Sequence, residues 1–98
     1  MVEVVEFCLA SDATSSQFVM AAADLEVAFL CDAPGFVRRT LARRPDGAWL
    51  DMVERTTLDE DLAAADAILI ETSAATFMRA IDPASIKMNH WNIERKTN

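Results

Sequence analysis

Glycine and proline are scarce in this sequence, two and three in 98 residues. So few leave little room for long irregular loops or linkers and exclude a low-complexity chain. Cysteine is nearly as rare. Cys8 and Cys31 are too few and too far apart for a metal motif, and two structural thiols fit a reduced, cytoplasmic protein. Basic residues are outnumbered by acidic ones, nine to sixteen, for a formal charge of −7. A surface of that sign repels phosphate backbones and anionic lipid, so neither nucleic acid nor a membrane is expected as a partner. Apolar runs stop well short of the eighteen or so residues that a transmembrane helix needs. The opening stretch MVEVVEFCLA has no positive region and carries glutamates inside its apolar run, so it does not read as a signal peptide.

Apolar residues, by contrast, are abundant, at 52% of the chain. The length fits one domain, residues 1–98, and a chain this short has trouble covering so much apolar surface alone. Burial in a homodimer is the expected remedy.

The pattern alternates between strand and helix signals. Residues 2–10, VEVVEFCLA, read as a strand with Val2, Val4, Glu6 and Cys8 on one face and Glu3, Val5, Phe7 and Leu9 on the other. Neither face is uniformly polar, which suits a sheet covered on both sides. Thr14 with Gln17 forms a capping box for a helix whose Phe18, Ala22, Leu25 and Phe29 recur at helical spacing. Pro34 and Gly35 stop it. Two strands follow, 36–43 and 48–55, joined by the tight-turn signature RPDGA. Val37, Arg39, Leu41 and Arg43 are expected on one face of the first, and Trp49, Asp51, Val53 and Arg55 on one face of the second. Thr57 and Glu60 cap a second helix with an expected apolar stripe of Leu58, Leu62, Ala65 and Leu69. After a polar break at ETSA comes a second helical piece carrying Phe77, Met78 and Ile81. SIKMNHWNI reads as a last strand before a frayed tail.

The order β-α-β-β-α-β predicts an α+β, ferredoxin-like fold, with a four-stranded antiparallel sheet and both helices on one face. The other face also carries Val, Leu and Met. A second copy of the sheet would cover it. The five arginines between residues 34 and 55 alternate between faces, so they are expected as solvated hairpin edges and cross-strand partners rather than one anion-binding patch.

On element order and on four stretches, the chain resembles the dimeric α/β-barrel superfamily around antibiotic-biosynthesis monooxygenase-type domains. Those stretches are PGF at 34–36, the hairpin RRPDGAWLDMVER, the helix opening TTLDEDLAAAD and the ending FMRAIDPASIKMNHW. The resemblance covers about residues 2–94. It implies that two sheets pair into a barrel, with any ligand cavity between each sheet and its own helices. Members include cofactor-independent quinone-forming monooxygenases, haem-degrading enzymes, isomerases, decarboxylases and stress-response proteins. The haem-degrading branch uses an Asn on the first strand and a His on the second helical region. Here the first strand offers Glu6 and the single histidine, His90, lies on the last strand, so no haem or other cofactor is expected. Relatives also place a Trp just before the Ser or Thr that opens the second helix, where this chain has Arg55 and Thr56.

His90 titrates nearest neutrality and is the first candidate base. Glu6, which interrupts an apolar strand, is the second, and a 4-1-3-2 strand order would set the two on neighbouring strands. Trp49, Phe18, Met78 and Asp51 are candidate pocket walls, and no metal ligand set is expected. A small-molecule-binding protein or a cofactor-independent monooxygenase- or isomerase-like homodimer acting on a small aromatic ligand is one expectation. A non-catalytic homodimeric structural or stress-related protein with a closed core is the other. An empty, mostly apolar cavity of several hundred Å³ with a polar residue inside favours the first, and a closed core with His90 at the dimer interface favours the second.

Overall fold

The computed structural model describes residues 1–97. The strands are β1 (Val2–Phe7), β2 (Phe36–Arg43), β3 (Trp49–Arg55) and β4 (Lys87–Trp91). They form one antiparallel sheet in the order β2-β3-β1-β4. The helices are α1 (Ser15–Ala28), α2 (Leu58–Ile68) and the short α3 (Ala75–Arg79). This is the ferredoxin-like α+β arrangement expected from the sequence. The first and last strands are shorter than expected. Beyond β1, Leu9 makes only an isolated bridge to Ile81. The last residue of the tail, Asn98, lies outside the described residues, while Lys96 pairs with Glu54.

The alternation of β1 decides which face is inside. Phe7 is 2% exposed and packs with Phe18 and Leu25 of α1, Trp49 of β3 and Phe77 of α3 in one apolar cluster. Glu3 and Val5 share the face of Phe7 and turn toward the helices. Val2, Val4 and Glu6 turn to the opposite, open face.

Both helix starts follow their sequence signals. Thr14 Oγ1 accepts from the Gln17 amide, and Thr57 Oγ1 from the Glu60 amide, each satisfying an amide with no partner inside the helix. The expected stripe of α2 is wrong, however. Leu58, Leu62 and Leu69 are exposed, at 44, 47 and 77%, and the buried residues are Asp61 and Ala64. Asp61 is drawn inward by an ion pair with Arg55, and this rotates Leu58 and Leu62 outward. In β2 a register shift between Phe36 and Arg38 turns Phe36 inward opposite Arg55, and leaves Val37 exposed. Arg39 is a cross-strand partner, as expected, of Asp51, but it is not solvated, because its side chain is only 3% exposed. Cys8 and Cys31 are free and exposed rather than packed.

Gly35 joins α1 to β2 with φ +78°, and a Cβ there would come within 2.5 Å of the Glu60 carboxylate. Gly47 closes the β2–β3 turn with φ +97° and has open space around it. Both positions impose left-handed strain of roughly 1–2 kcal/mol on any side chain. Only Gly35→Ala also displaces Glu60 from Thr57, whose hydroxyl donates to it at 2.9 Å. Thermal melts at equal protein concentration should show a Tm drop of roughly 5–15 °C for Gly35→Ala and a clearly smaller one for Gly47→Ala.

Candidate functional site

Between sheet and helices the interior has two parts. One is filled by aromatics: Phe18 meets Trp49 edge-on at 4.9 Å and Phe7 at 5.4 Å, and stacks on Phe77 at 5.1 Å. The other is a cavity of about 200 Å³ whose walls are mostly apolar, with Glu3, Arg39, Asp51, Arg55 and Asp61 among them. Of the residues expected to line a pocket, Asp51 and Met78 do so. Phe18 and Trp49 sit in the aromatic cluster instead and support the cavity from the side.

The charged groups form two chains. Arg39 on β2 reaches diagonally across the sheet to Asp51 on β3, with Nε to Oδ1 at 2.9 Å and Nη2 to Oδ2 at 2.6 Å. Its Nη1 donates to the Ala22 carbonyl of α1 at 2.9 Å, and its guanidinium lies over the Phe77 ring at 5.3 Å. Each of its three nitrogens is hydrogen-bonded. Arg55, at the end of β3, donates through Nε to Asp61 Oδ1 at 3.1 Å; both side chains are almost completely buried. Asp61 Oδ2 is 3.0 Å from His90 Nε2, and the same nitrogen is 3.6 Å from Glu3 Oε2.

Register explains this meeting. Glu3 pairs with His90 on β4 and with Val53 on β3, so one row across the inner face carries Arg39, Val53, Glu3 and His90. Asp61 comes down onto that row from the first turns of α2. The His90 ring is partly exposed, at 29%, and so links this inner row to solvent. Sequence reasoning found no orienting partner for His90; the structure supplies Asp61 and Glu3.

Glu6 is placed differently from the pairing anticipated with His90. Two residues separate like faces on a strand, and Glu6 lies on the open face, opposite Leu50 and Lys87. The carboxyl that reaches the cavity is Glu3. The signal was present in the sequence: Glu3 shares the face of Phe7, the most apolar of that strand's large side chains.

Burial raises the Glu3 carboxyl to about 8, with further upward pushes from its hydrogen bond to Asp61 and from the Asp61 charge. Arg55 pulls the other way. Glu3 is therefore protonated near neutrality, sharing its proton with a neighbouring carboxylate. Because that carboxylate only accepts, the His90 nitrogen facing Asp61 is assigned as the donor.

Among the described residues, Arg55 Nη1 is the one buried side-chain nitrogen or oxygen with no hydrogen-bond partner. Such an atom costs about 1–3 kcal/mol or more for a charged group.

No family model matches the chain, and no curated protein matches its sequence. Solved structures do. SnoaB, a cofactor-independent oxygenase from Streptomyces nogalater, superposes with a TM-score of 0.73 at 20% identity, over 97% of this chain and 93% of that one. A structure assigned to the antibiotic biosynthesis monooxygenases, from Nitrosomonas europaea, gives 0.75 at 17% identity, over 99% and 92%. The MEC-8 C-terminal RRM domain bound to AGCACA gives 0.50 at 16%, over 98% and 96%. The fold is thus that of the antibiotic-biosynthesis monooxygenase-type domains, and its topology also serves RNA binding, so the fold alone does not name the reaction.

The Glu3 proton has a measurable consequence. The folded protein holds it up to about pH 8, whereas an unfolded chain releases it near 4.5. Between those values the folded form binds more protons, so rising pH favours unfolding. Glu54 and Glu60, lowered chiefly by hydrogen bonds from Lys96 and Thr56, act only on the acid side. Urea midpoints should therefore fall as pH rises from about 5 to about 8 in the wild type. Glu3→Gln should flatten that slope; an unchanged slope would mean that Glu3 titrates normally.

Proposed function

We propose that this protein is a homodimeric, cofactor-independent monooxygenase-type enzyme acting on a small, largely apolar molecule bound between the sheet and the helices. The observation that carries this reading is the cavity with Glu3 in its wall, a carboxyl held at about 8 beside an ionised partner. A base is most useful when its pKa lies near the working pH. Likeness of fold to SnoaB and to monooxygenase-type domains supports the reaction class. The closed-core scaffold has no comparable support, since the interior is not filled.

Without a cofactor, the substrate itself must reduce oxygen. A methylene next to a carbonyl or hydroxyaryl group loses a proton to a base and becomes an electron-rich carbanion or enolate. That species reacts with O₂ to give a peroxide at carbon, which loses water as the carbonyl forms. The sum is R₂CH₂ + O₂ → R₂C=O + H₂O, with both electrons for the second oxygen atom supplied by the substrate. Ionised Glu3 is the proposed base. Asp61 orients it, and the partly exposed His90, donating to Asp61, holds that carboxylate in place. His90 thus acts through its neighbours and is a positioning residue.

Oxygen uptake with a panel of hydroxy- and keto-aromatic compounds tests the reaction. The expected result is one O₂ consumed per substrate oxidised, with kcat/KM rising toward a plateau above about pH 8, where Glu3 is ionised. Glu3→Gln should lower kcat/KM by roughly a hundredfold or more. His90→Ala should lower kcat and distort the pH profile while KM holds. Activity undiminished in Glu3→Gln would remove Glu3 from the mechanism.

The dimer belongs to the same proposal. On the open face, Val4, Met52 and Thr40 lie side by side across three strands, flanked by Leu50, Ala42, Val2 and the 59%-exposed Trp91. Acidic and basic residues sit only toward its borders, at Glu6, Lys87, Arg38 and Glu54. Such a face matches a second copy of itself. Sedimentation should give a dimer for the wild type and a monomer for Met52→Arg; a wild type that sediments as a monomer ends this part of the proposal.

A further inference from the structure

The buried charges differ in what they have left to give. Arg39 has spent its donors on Asp51 and the Ala22 carbonyl. Asp61 is taken up by Arg55 and His90. Arg55 alone keeps a buried donor, Nη1, without a partner, although its side chain is only 4% exposed and lines the cavity. Nη1 is enclosed in the empty domain, and because Arg55 belongs to the cavity wall, a small turn of its guanidinium would offer that donor to a group held in the cavity.

We infer that Arg55 is the anchor for an acceptor oxygen on the ligand, a ketone oxygen carried by an otherwise apolar ring skeleton. This deepens the functional reading above and rests on it. The chemistry of the wall selects that neutral oxygen over an anion. The Arg55 charge is already balanced by Asp61 and the Arg39 charge by Asp51, so the wall offers no net positive charge to hold a ligand that arrives as a carboxylate or phosphate. A neutral carbonyl oxygen needs no such charge. It also accepts the charge that develops when a proton leaves the neighbouring carbon, and a fixed guanidinium donor then gains strength. The remaining wall, with Leu25, Phe77 and Met78, suits a fused ring.

The side chain's role is recognition and charge stabilisation, with Glu3 on the adjacent strand taking the proton.

Binding of two probes of nearly equal shape tests this: 1-tetralone, which has the ketone, and tetralin, which lacks it. NMR titrations should show the wild type binding 1-tetralone at least ~10-fold more tightly. In the double variant Arg55→Met/Asp61→Leu, which removes both charges together and so spares the fold an unpaired one, the preference should fall to near one whatever the change in overall affinity. Arg55→Lys retains the charge but loses the planar donor fork, and it should lose most of the preference as well. If the double variant does not fold, the lysine variant decides. A preference that survives in the folded variants overturns the role of Arg55. Equal binding of both probes to the wild type also overturns it but leaves the cavity reading intact. Binding of neither probe removes the cavity reading and this inference together.

Discussion

The interior of this domain is organised by two buried ion pairs, and both join the sheet to the helices. Arg39 ties β2 and β3 to the carbonyl of Ala22 on α1, while Arg55 ties the end of β3 to Asp61 on α2. Taking such ions out of water costs several kcal/mol each, and a pair recovers this only with very good geometry and extra hydrogen bonds. The Arg39–Asp51 fork meets that condition, with two short bonds, a third to backbone and a ring beneath it. The Arg55–Asp61 pair meets it less well, with one bond from Nε and a second nitrogen left over. Apolar residues of similar volume at 55 and 61 would close the interior and often stabilise a fold. Stability alone therefore gives no reason for that pair, whereas a cavity with a charged wall does.

The rest of the architecture serves the same division. Aromatic side chains from β1, β3, α1 and α3 fill one part of the space between sheet and helices, so the domain has a rigid core that does not depend on the cavity being occupied. The inward carboxylate of Asp61 sets the rotation of α2, which leaves Leu58 and Leu62 exposed. On the sheet's far face, the apolar rows across β2, β3 and β1 have no helix to cover them. One layer of helices can bury one face of a sheet. A chain of this length has nothing left for the second.

The order of elements was legible because it rests on local signals that the structure keeps: two Thr caps, one Pro-Gly stop, one Pro-Asp-Gly turn and strict alternation along β1. The strand order followed from the topology. What could not be read were the choices that depend on long-range charge. The periodicity of α2 pointed to its leucines, because sequence patterns rank an aspartate as a surface residue; only the presence of Arg55 and His90 across the layer makes its burial favourable. Arg39 looked solvated for the same reason. The bulge that turns Phe36 rather than Val37 inward also leaves no clear mark in the sequence. Of the candidate residues, His90 proved to sit among titratable groups, and Asp51 and Met78 in the cavity wall. Glu6 and Glu3 were separable by one argument that the alternation already contained: the face with Phe7 is the core face.

The dependence runs in a definite order, and it bears on how the proposed reaction would be driven. Arg55 fixes Asp61; ionised Asp61, together with burial, holds the proton on Glu3; Arg55 opposes that upward shift by its own charge. A ligand oxygen that becomes negative beside Arg55 offsets part of this opposing charge. Glu3 then holds a proton more firmly than before, at the moment when the substrate is giving one up. Proton and negative charge thus end on different groups a short distance apart, each in an environment that favours it. An apolar wall at residue 55 would supply neither half of that coupling, because it would leave Asp61 buried without its partner and the new oxyanion without a donor.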